Sequence, residues 1–308
     1  MKKITILLIG LISTSAYTYA QKEYKLHYSF KKGDTYEWSQ SEVIKQHILV
    51  AGNEQNTETT IKANALLKVI ELVPNGARFE IEYTKVFSNV PQAGLTLDSE
   101  GDTTKNIGNK VLQAMKGKKF NFTLTKTGTI ESVENIENLW SGLTPANGFK
   151  VAETAPMKAT LENQFGKASV TNTLEASLVS YPENKVKVGI AWNTKKTIAN
   201  PLPLGTDYVW TLESVQEPNG VIVADGKSAS TDTTKIITLQ QGLKATTNFK
   251  GRKVFKVNVN LSTGWPETTK AYSEQKGTMM LQPGGQIPEE MPLALDLSID
   301  SEYTIKKK

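Results

Sequence analysis

Much of the chain alternates with period two. In residues 77–86, ARFEIEYTKV, Phe79, Ile81 and Tyr83 fall on one side, and Arg78, Glu80, Glu82 and Thr84 on the other. Successive side chains of a strand point to opposite faces, so this is a strand with one dry and one wet face. An antiparallel sheet covered on one side has that pattern. Residues 24–30 repeat it, with Tyr24, Leu26, Tyr28 and Phe30 set against Lys25, His27 and Ser29. Residues 119–125 do so with Phe120, Phe122 and Leu124, and residues 252–261 with Phe255, Val257, Val259 and Leu261. Turn residues separate these runs. Pro-Asn-Gly occurs at 74–76 and again at 218–220. Asn-Gly predicts a type I′ hairpin, because both central residues of that turn need positive φ. Lys-Thr-Gly at 126–128 and Lys-Gly at 250–251 read as further hairpin tips, and residues 51–58 as a longer polar one.

The middle of the chain changes period. Ile107, Val111, Leu112 and Met115 share a helical face, as do Ile136, Leu139, Trp140 and Leu143. Over residues 155–166, Pro156 suits a first helical turn, and Met157, Leu161 and Phe165 form a stripe. Residues 169–181 fit a helix through Val170, Leu174 and Leu178, although their threonines suit a strand; the reading adopted is helix. Sheet, then helices, then sheet predicts an α+β fold, mainly antiparallel β, and not a parallel βαβ sheet.

One pattern occurs twice. Gly33, Tyr36 and Trp38 have the same spacing as Gly205, Tyr208 and Trp210, and each set precedes a Pro-Asn-Gly. The expectation is a curved meander or half-barrel sheet in two pseudo-repeated halves, with a few central helices. Residues 21–185 would hold the first meander and the helices, and residues 186–308 the second, as one continuous body.

Tyr181, Pro182, Val186, Val188, Gly189 and Trp192 form a Tyr-Pro…Val-x-Val-Gly-x-x-Trp string. Together with Gly33, Asp34, Tyr36 and Trp38 near the start, and Thr263, Gly264, Trp265 and Pro266 near the end, it resembles an uncharacterised family of exported bacterial proteins of Bacteroidota type. That family is known only as a domain of unknown function. Ile190 stands where it usually has Asp. The resemblance implies export and a shared fold, and supplies no catalytic residue.

Residues 1–20 change the picture of where the protein acts. Lys2 and Lys3, an apolar run from Ile4 to Ile12, and small residues Thr18 and Ala20 are in the order of a cleavable export signal. The expected location is periplasmic or secreted. The chain contains no Cys, so an anchor on a Cys after the cleavage site is not expected, and neither are disulfides. No later apolar run is long enough for a transmembrane helix. The formal charge of +5 falls to +3 once Lys2 and Lys3 are set aside, and no basic stripe with stacking aromatics points to nucleic acid.

Candidate chemistry is sparse. His27 and His47 are the two histidines, and they read as solvated strand residues with no metal site. Asp98, Glu100 and Asp102 open like a calcium loop, but the glycine is misplaced for one. Glu289 and Glu290 are adjacent and would face opposite ways on an extended chain. Asp-Thr-Thr at 102–104 and 232–234 reads as two polar loops. No nucleophile elbow, phosphate loop or cofactor fingerprint is present, so neither catalysis nor a cofactor is expected. The aromatic dry faces are the remaining handle. Three short helices are a thin cover for a curved sheet, and an uncovered gap would be a pocket of ligand size. The expectation is an envelope binding protein for a lipid or other hydrophobic ligand, with Trp38, Phe79, Ile81, Tyr83 and Trp140 in the wall. The alternatives are an interaction module for an envelope protein or glycan, and an unrecognised hydrolase.

Overall fold

A computed structural model describes residues 22–308 apart from 105, 199–201, 240–241 and 285–286, so the export signal expected at 1–20 lies outside the described residues. The first half contains β1 (Thr35–Val50), β2 (Asn53–Val73), β3 (Gly76–Val90), β4 (Leu95–Asp98), α1 (Ile107–Met115), β5 (Lys119–Thr125) and β6 (Ile130–Glu134). Next come α2 (Val151–Phe165) and α3 (Lys167–Ala176). The second half contains β7 (Ala191–Ile198), β8 (Leu204–Gln216), β9 (Asn219–Ser230), β10 (Ile237–Thr238), β11 (Lys244–Asn260), β12 (Pro266–Leu281) and β13 (Met291–Lys307).

All thirteen strands belong to one antiparallel sheet in the order β6-β5-β3-β2-β1-β13-β12-β11-β9-β8-β7, with β4 on β3 and β10 on β11. The first and last long strands therefore pair at the centre, from Tyr36↔Lys307 to Val50↔Leu293. The first half of the chain meanders outward from that seam to β6 and the second meanders back to it from β7, each forming one arm, which is the pseudo-repeated α+β architecture expected from the sequence. The sheet stays open, and α2 and α3 lie on the connection from the β6 edge to the β7 edge, with α1 between β4 and β5.

Hydrogen bonds at one end show the curvature. Tyr28 donates its N–H to Lys126 in the β5–β6 turn, and Ser29 donates to Thr263 in the β11–β12 turn. Those turns are five strands apart, about 24 Å in a flat sheet at the usual strand spacing. Register shifts at Asn64/Ala65 and Val69/Glu71 in β2, Thr123/Leu124 in β5, Leu212/Ser214 in β8 and Asn258/Val259 in β11 bend both arms toward this end. Rings close it. Trp265 lies 5.2 Å from Tyr28, 4.3 Å from Tyr36 and 5.9 Å from Phe79, and Phe79 stacks on Phe122 at 4.9 Å. The Tyr28 hydroxyl accepts from the Val179 amide at 2.8 Å and donates to its carbonyl at 3.2 Å.

Several local expectations need correction. Residues 24–30 alternate in burial as expected, yet they form no sheet strand. Only Tyr24 bridges, to Val186, and the segment crosses the closed end as a plug. Lys250 and Gly251 lie inside β11 and not at a tip. The 51–58 tip is a two-residue turn, Ala51–Gly52, both at positive φ, with β2 starting at Asn53. The Pro-Asn-Gly turns are centred earlier than Asn-Gly. The first turns on Pro74–Asn75 and the second on Glu217–Pro218, whose peptide is cis. Gly76 is already in β3, where a Cβ would meet the Leu124 carbonyl at 2.1 Å, so close approach of β5 is what requires glycine there. Residues 136–140 form a 3₁₀ turn and not an α-helix, and α2 starts at Val151, placing Pro156 inside it. The helical reading of 169–181 holds as far as Ala176.

Candidate functional site

The closed end is filled, but the concave face beyond it is not. A cavity of about 410 Å³ lies between the sheet and the C-terminal part of α2 with α3. Its floor can be read in rows across the strands. The middle row runs Tyr208, Gly226, Lys253, Ser273, Ile299 and Ile44. The row toward the closed end runs Trp210, Ala224, Phe255, Ala271, Ser301 and Glu42. Toward the mouth it runs Thr206, Ser228, Gly251, Gln275, Leu297 and Gln46. The small residues that line the space are Ser228 on β9 and Ala271 and Ser273 on β12. A Cβ at Gly226 would sit 2.5 Å from the Tyr208 ring, so glycine lets that ring lie flat over β9.

Helical side chains form the roof. Phe165 of α2 packs edge-on to Tyr83 at 5.8 Å, and Val170 and Ala176 of α3 face the same space. At the mouth, Leu204, Phe249 and Leu295 form a second apolar cluster with Ile48, Leu202, Met279 and Leu293. The wall is thus largely apolar from the roof to the rim.

Polar groups are interspersed in the lining, among them Gln40, Glu42, Gln46, Lys253, Ser273 and Gln275. Glu42 accepts from the hydroxyls of Tyr303 and Ser301, and the hydroxyls of Thr206 and Ser228 meet at 2.8 Å. The buried Oε1 atoms of Gln275 and Gln164 have no hydrogen-bond partner. Lys253 is half-buried, with its ammonium 5.1 Å from the Phe255 ring centroid. Burial pulls its pKa down to about 8, and the charge of Lys196 adds to that; Glu42 and Glu175 act in the opposite direction. Lys196 and Glu175 themselves pair at 3.6 Å between β7 and α3. Burial, first of all, raises the Tyr208 phenol to about 12, and it also raises Tyr303.

The residues expected in a cavity wall fall in different places. Tyr83 lines the cavity. Trp38, Phe79 and Ile81 are buried in the filled core instead, Trp38 beside Tyr303 and Phe79 against Phe122. They lie toward the closed end, where the two arms converge and leave no gap. Trp140 is half-buried in a surface groove with Ile136, Lys158 and Glu162, because the 3₁₀ turn carries it away from the sheet. The sequence reading did not single out Lys253, Gln275 or Glu42. The signal was present in β11: Phe255, Val257 and Val259 define the dry face, and Lys253 and Gly251 continue it with the same parity.

The other candidates behave as surface groups. His27 is exposed, and His47 lies in a polar groove on the outer face with Tyr272, Glu274 and Lys276. Glu100 pairs with Lys85 at 2.6 Å and Lys116 at 3.6 Å. Asp102 and Asp232 each accept from the amide and hydroxyl of the threonine two residues on, a local turn in both places. Among the described residues, no group of three or more His, Cys, Asp or Glu is placed to hold a metal ion. No helix among them is long and apolar enough to cross a membrane.

Fold and site define an open, curved antiparallel sheet that encloses a largely apolar cavity beneath short helices. The family profile of DUF6263, a family of unknown function, matches residues 77–266, and the chain belongs to that family. No curated protein matches the sequence. Two solved structures are similar at a distance. One, described as lipid–protein interactions in lipovitellin, shares 10% identity at a TM-score of 0.48 over 91% of this chain. The chain spans about 25% of that lipovitellin chain. The other is an outer membrane channel from Pseudomonas putida F1, with 7% identity and a TM-score of 0.24, covering 91% of this chain and 97% of that one.

Proposed function

We propose that this protein is an exported binding protein, not an enzyme, and that it holds a lipid or other hydrophobic ligand in the concave cavity. The observation that carries the reading is the cavity itself. Its volume of about 410 Å³ falls within the range of small-ligand sites, roughly 300–1,000 Å³. Its wall combines apolar and aromatic side chains, Ile44, Ile61, Tyr83, Phe165, Leu297 and Ile299 among them, with interspersed polar groups, which suits a ligand that has both an apolar body and a polar end. Ala271 and Ser273 on β12 and Ser228 on β9 keep it open, although larger apolar residues there would fill it and stabilise the core. Export is supported by the order of charge, apolar run and small residues in 1–20.

The test is fluorescence titration with N-phenylnaphthylamine, a neutral dye that brightens in apolar surroundings. The mature wild type is expected to bind it saturably. Ser273→Leu should weaken binding and Ser273→Trp should abolish it, while Trp140→Ala, in the surface groove, should leave it unchanged. Thermal melts of each variant establish that it is folded. No saturable binding to folded wild type, or equal binding to folded Ser273→Trp, would overturn the proposal.

A further inference from the structure

We propose that the ligand of this cavity is an amphiphile with a carboxylate head, and that Lys253 is the group that pairs with that head. The inference rests on the cavity being a ligand site, and it adds the chemistry of the ligand. Lys253 is the one cationic side chain among the described residues that line the cavity. It stands in the middle row, between Gly226 on β9, which the Tyr208 ring covers, and Ser273 on β12, whose small side chain leaves room toward the cavity. Among the described residues it has no ion-pair partner, and its recorded contact is the face of Phe255.

Glu42, the one acidic residue in the lining, is not that partner. It is carried on β1, three strands away from β11, and its charge acts on Lys253 without forming an ion pair. The hydroxyls of Tyr303 and Ser301 already serve it. A cation left unpaired in apolar surroundings is costly, and an incoming carboxylate relieves that cost while the alkyl chain covers the apolar wall. Gln275, one row nearer the mouth, is buried with an unpaired amide oxygen. The orientation of such an amide is interchangeable, so its NH₂ can equally face the cavity and donate to the same head group.

The titration of Lys253 supplies an independent readout. With its pKa near 8, the ammonium is mostly charged at neutral pH and loses its proton within an accessible range. The other titratable groups that face it are Tyr208 from β8, Glu42 from β1, Tyr303 from β13 and the Glu175–Lys196 pair from α3 and β7. The two phenols are raised, so neither gains charge between pH 7 and 9.

The experiment is calorimetric titration of the mature protein with decanoate and with decanol, at pH values from 6.5 to 9.5. The wild type is expected to bind decanoate more tightly than decanol by about tenfold or more at pH 7, the range of a hydrogen bond to a charged group. That preference should decline as pH rises through about 8. Lys253→Met should bind both ligands equally and without pH dependence, and Lys253→Arg should restore the preference. Equal affinities in wild type, or a preference that survives in Lys253→Met, overturn the carboxylate assignment and leave the cavity reading standing. Binding of neither ligand by folded wild type overturns both.

Discussion

Tyr28→Phe removes one oxygen from the plug at the closed end, and the structure sets the size of the effect. The phenol holds both backbone groups of Val179, accepting from its N–H at 2.8 Å and donating to its carbonyl at 3.2 Å. Tyr28 and Val179 are both 0% exposed, so no water replaces the lost oxygen. A buried donor left without a partner costs about 1–3 kcal/mol. The unfolding entropy of a chain this long is about 0.6 kcal/mol per kelvin, at the usual value per residue. The melting midpoint should therefore fall by about 2–5 °C. The ring contacts with Trp265 and Tyr181 remain, so the plug keeps its shape. Differential scanning calorimetry reads the midpoint, and dye titration of the same sample reads the cavity. The expected pair of results is a lowered midpoint with unchanged dye affinity. An unchanged midpoint would refute the assigned hydrogen bonds, and a large loss of dye affinity would refute the separation between filled end and open cavity.

Lys253→Met should raise stability at pH 7, because it replaces a half-buried ammonium that has no ion-pair partner with an apolar chain of similar length. The folded-state pKa of Lys253 is lowered from the ordinary 10.5 to about 8, so the unfolded state binds more protons between those values. Wild-type stability from this group rises with pH across that window, and the advantage of the variant should shrink between pH 8 and 10.5, as denaturant titrations at each pH would show. Arg252→Ala breaks a two-pronged contact with Asp225 on the outer face, at 3.0 and 2.6 Å, but both groups are largely exposed. Exposure and salt screening leave such a pair little weight, so the urea unfolding midpoint should barely move and cavity binding should be unchanged.

The strands were legible because each writes its own face. Phe79, Ile81 and Tyr83 against Glu80 and Glu82 need no partner to identify a half-buried strand. The helical stripe of Val111, Leu112 and Met115 was equally local. The order of the sheet was not legible, since pairing of β1 with β13 depends on residues some 250 positions apart; the sequence reading reached only the two-halved meander. Turn placement failed where tertiary contact overrode local chemistry. Gly76 is set by the Leu124 carbonyl, and Gly251 lies inside a strand opposite Gln275. The cavity was half legible. A gap on the concave side followed from the thin helical cover, but its position depends on small side chains at Ser228, Ala271 and Ser273. Attention to large apolar side chains pointed toward Trp38, Phe79 and Ile81, which fill the core. A search for small residues on an otherwise dry face would have pointed to β9 and β12, and the parity of Lys253 with Phe255 to the charge among them.

The most direct test of the account is calorimetry of the mature protein against neutral straight-chain alcohols of increasing length. If the concave cavity is a site for apolar chains, each added methylene should tighten binding about fourfold, from about 0.8 kcal/mol per CH₂, with one site per chain. The gain should stop once the volume of about 410 Å³ is filled, and binding should carry a negative heat-capacity change. Saturable binding that lengthens and then levels in this way is the predicted result. No saturable binding to folded protein at any chain length, or an affinity indifferent to length, would contradict the account.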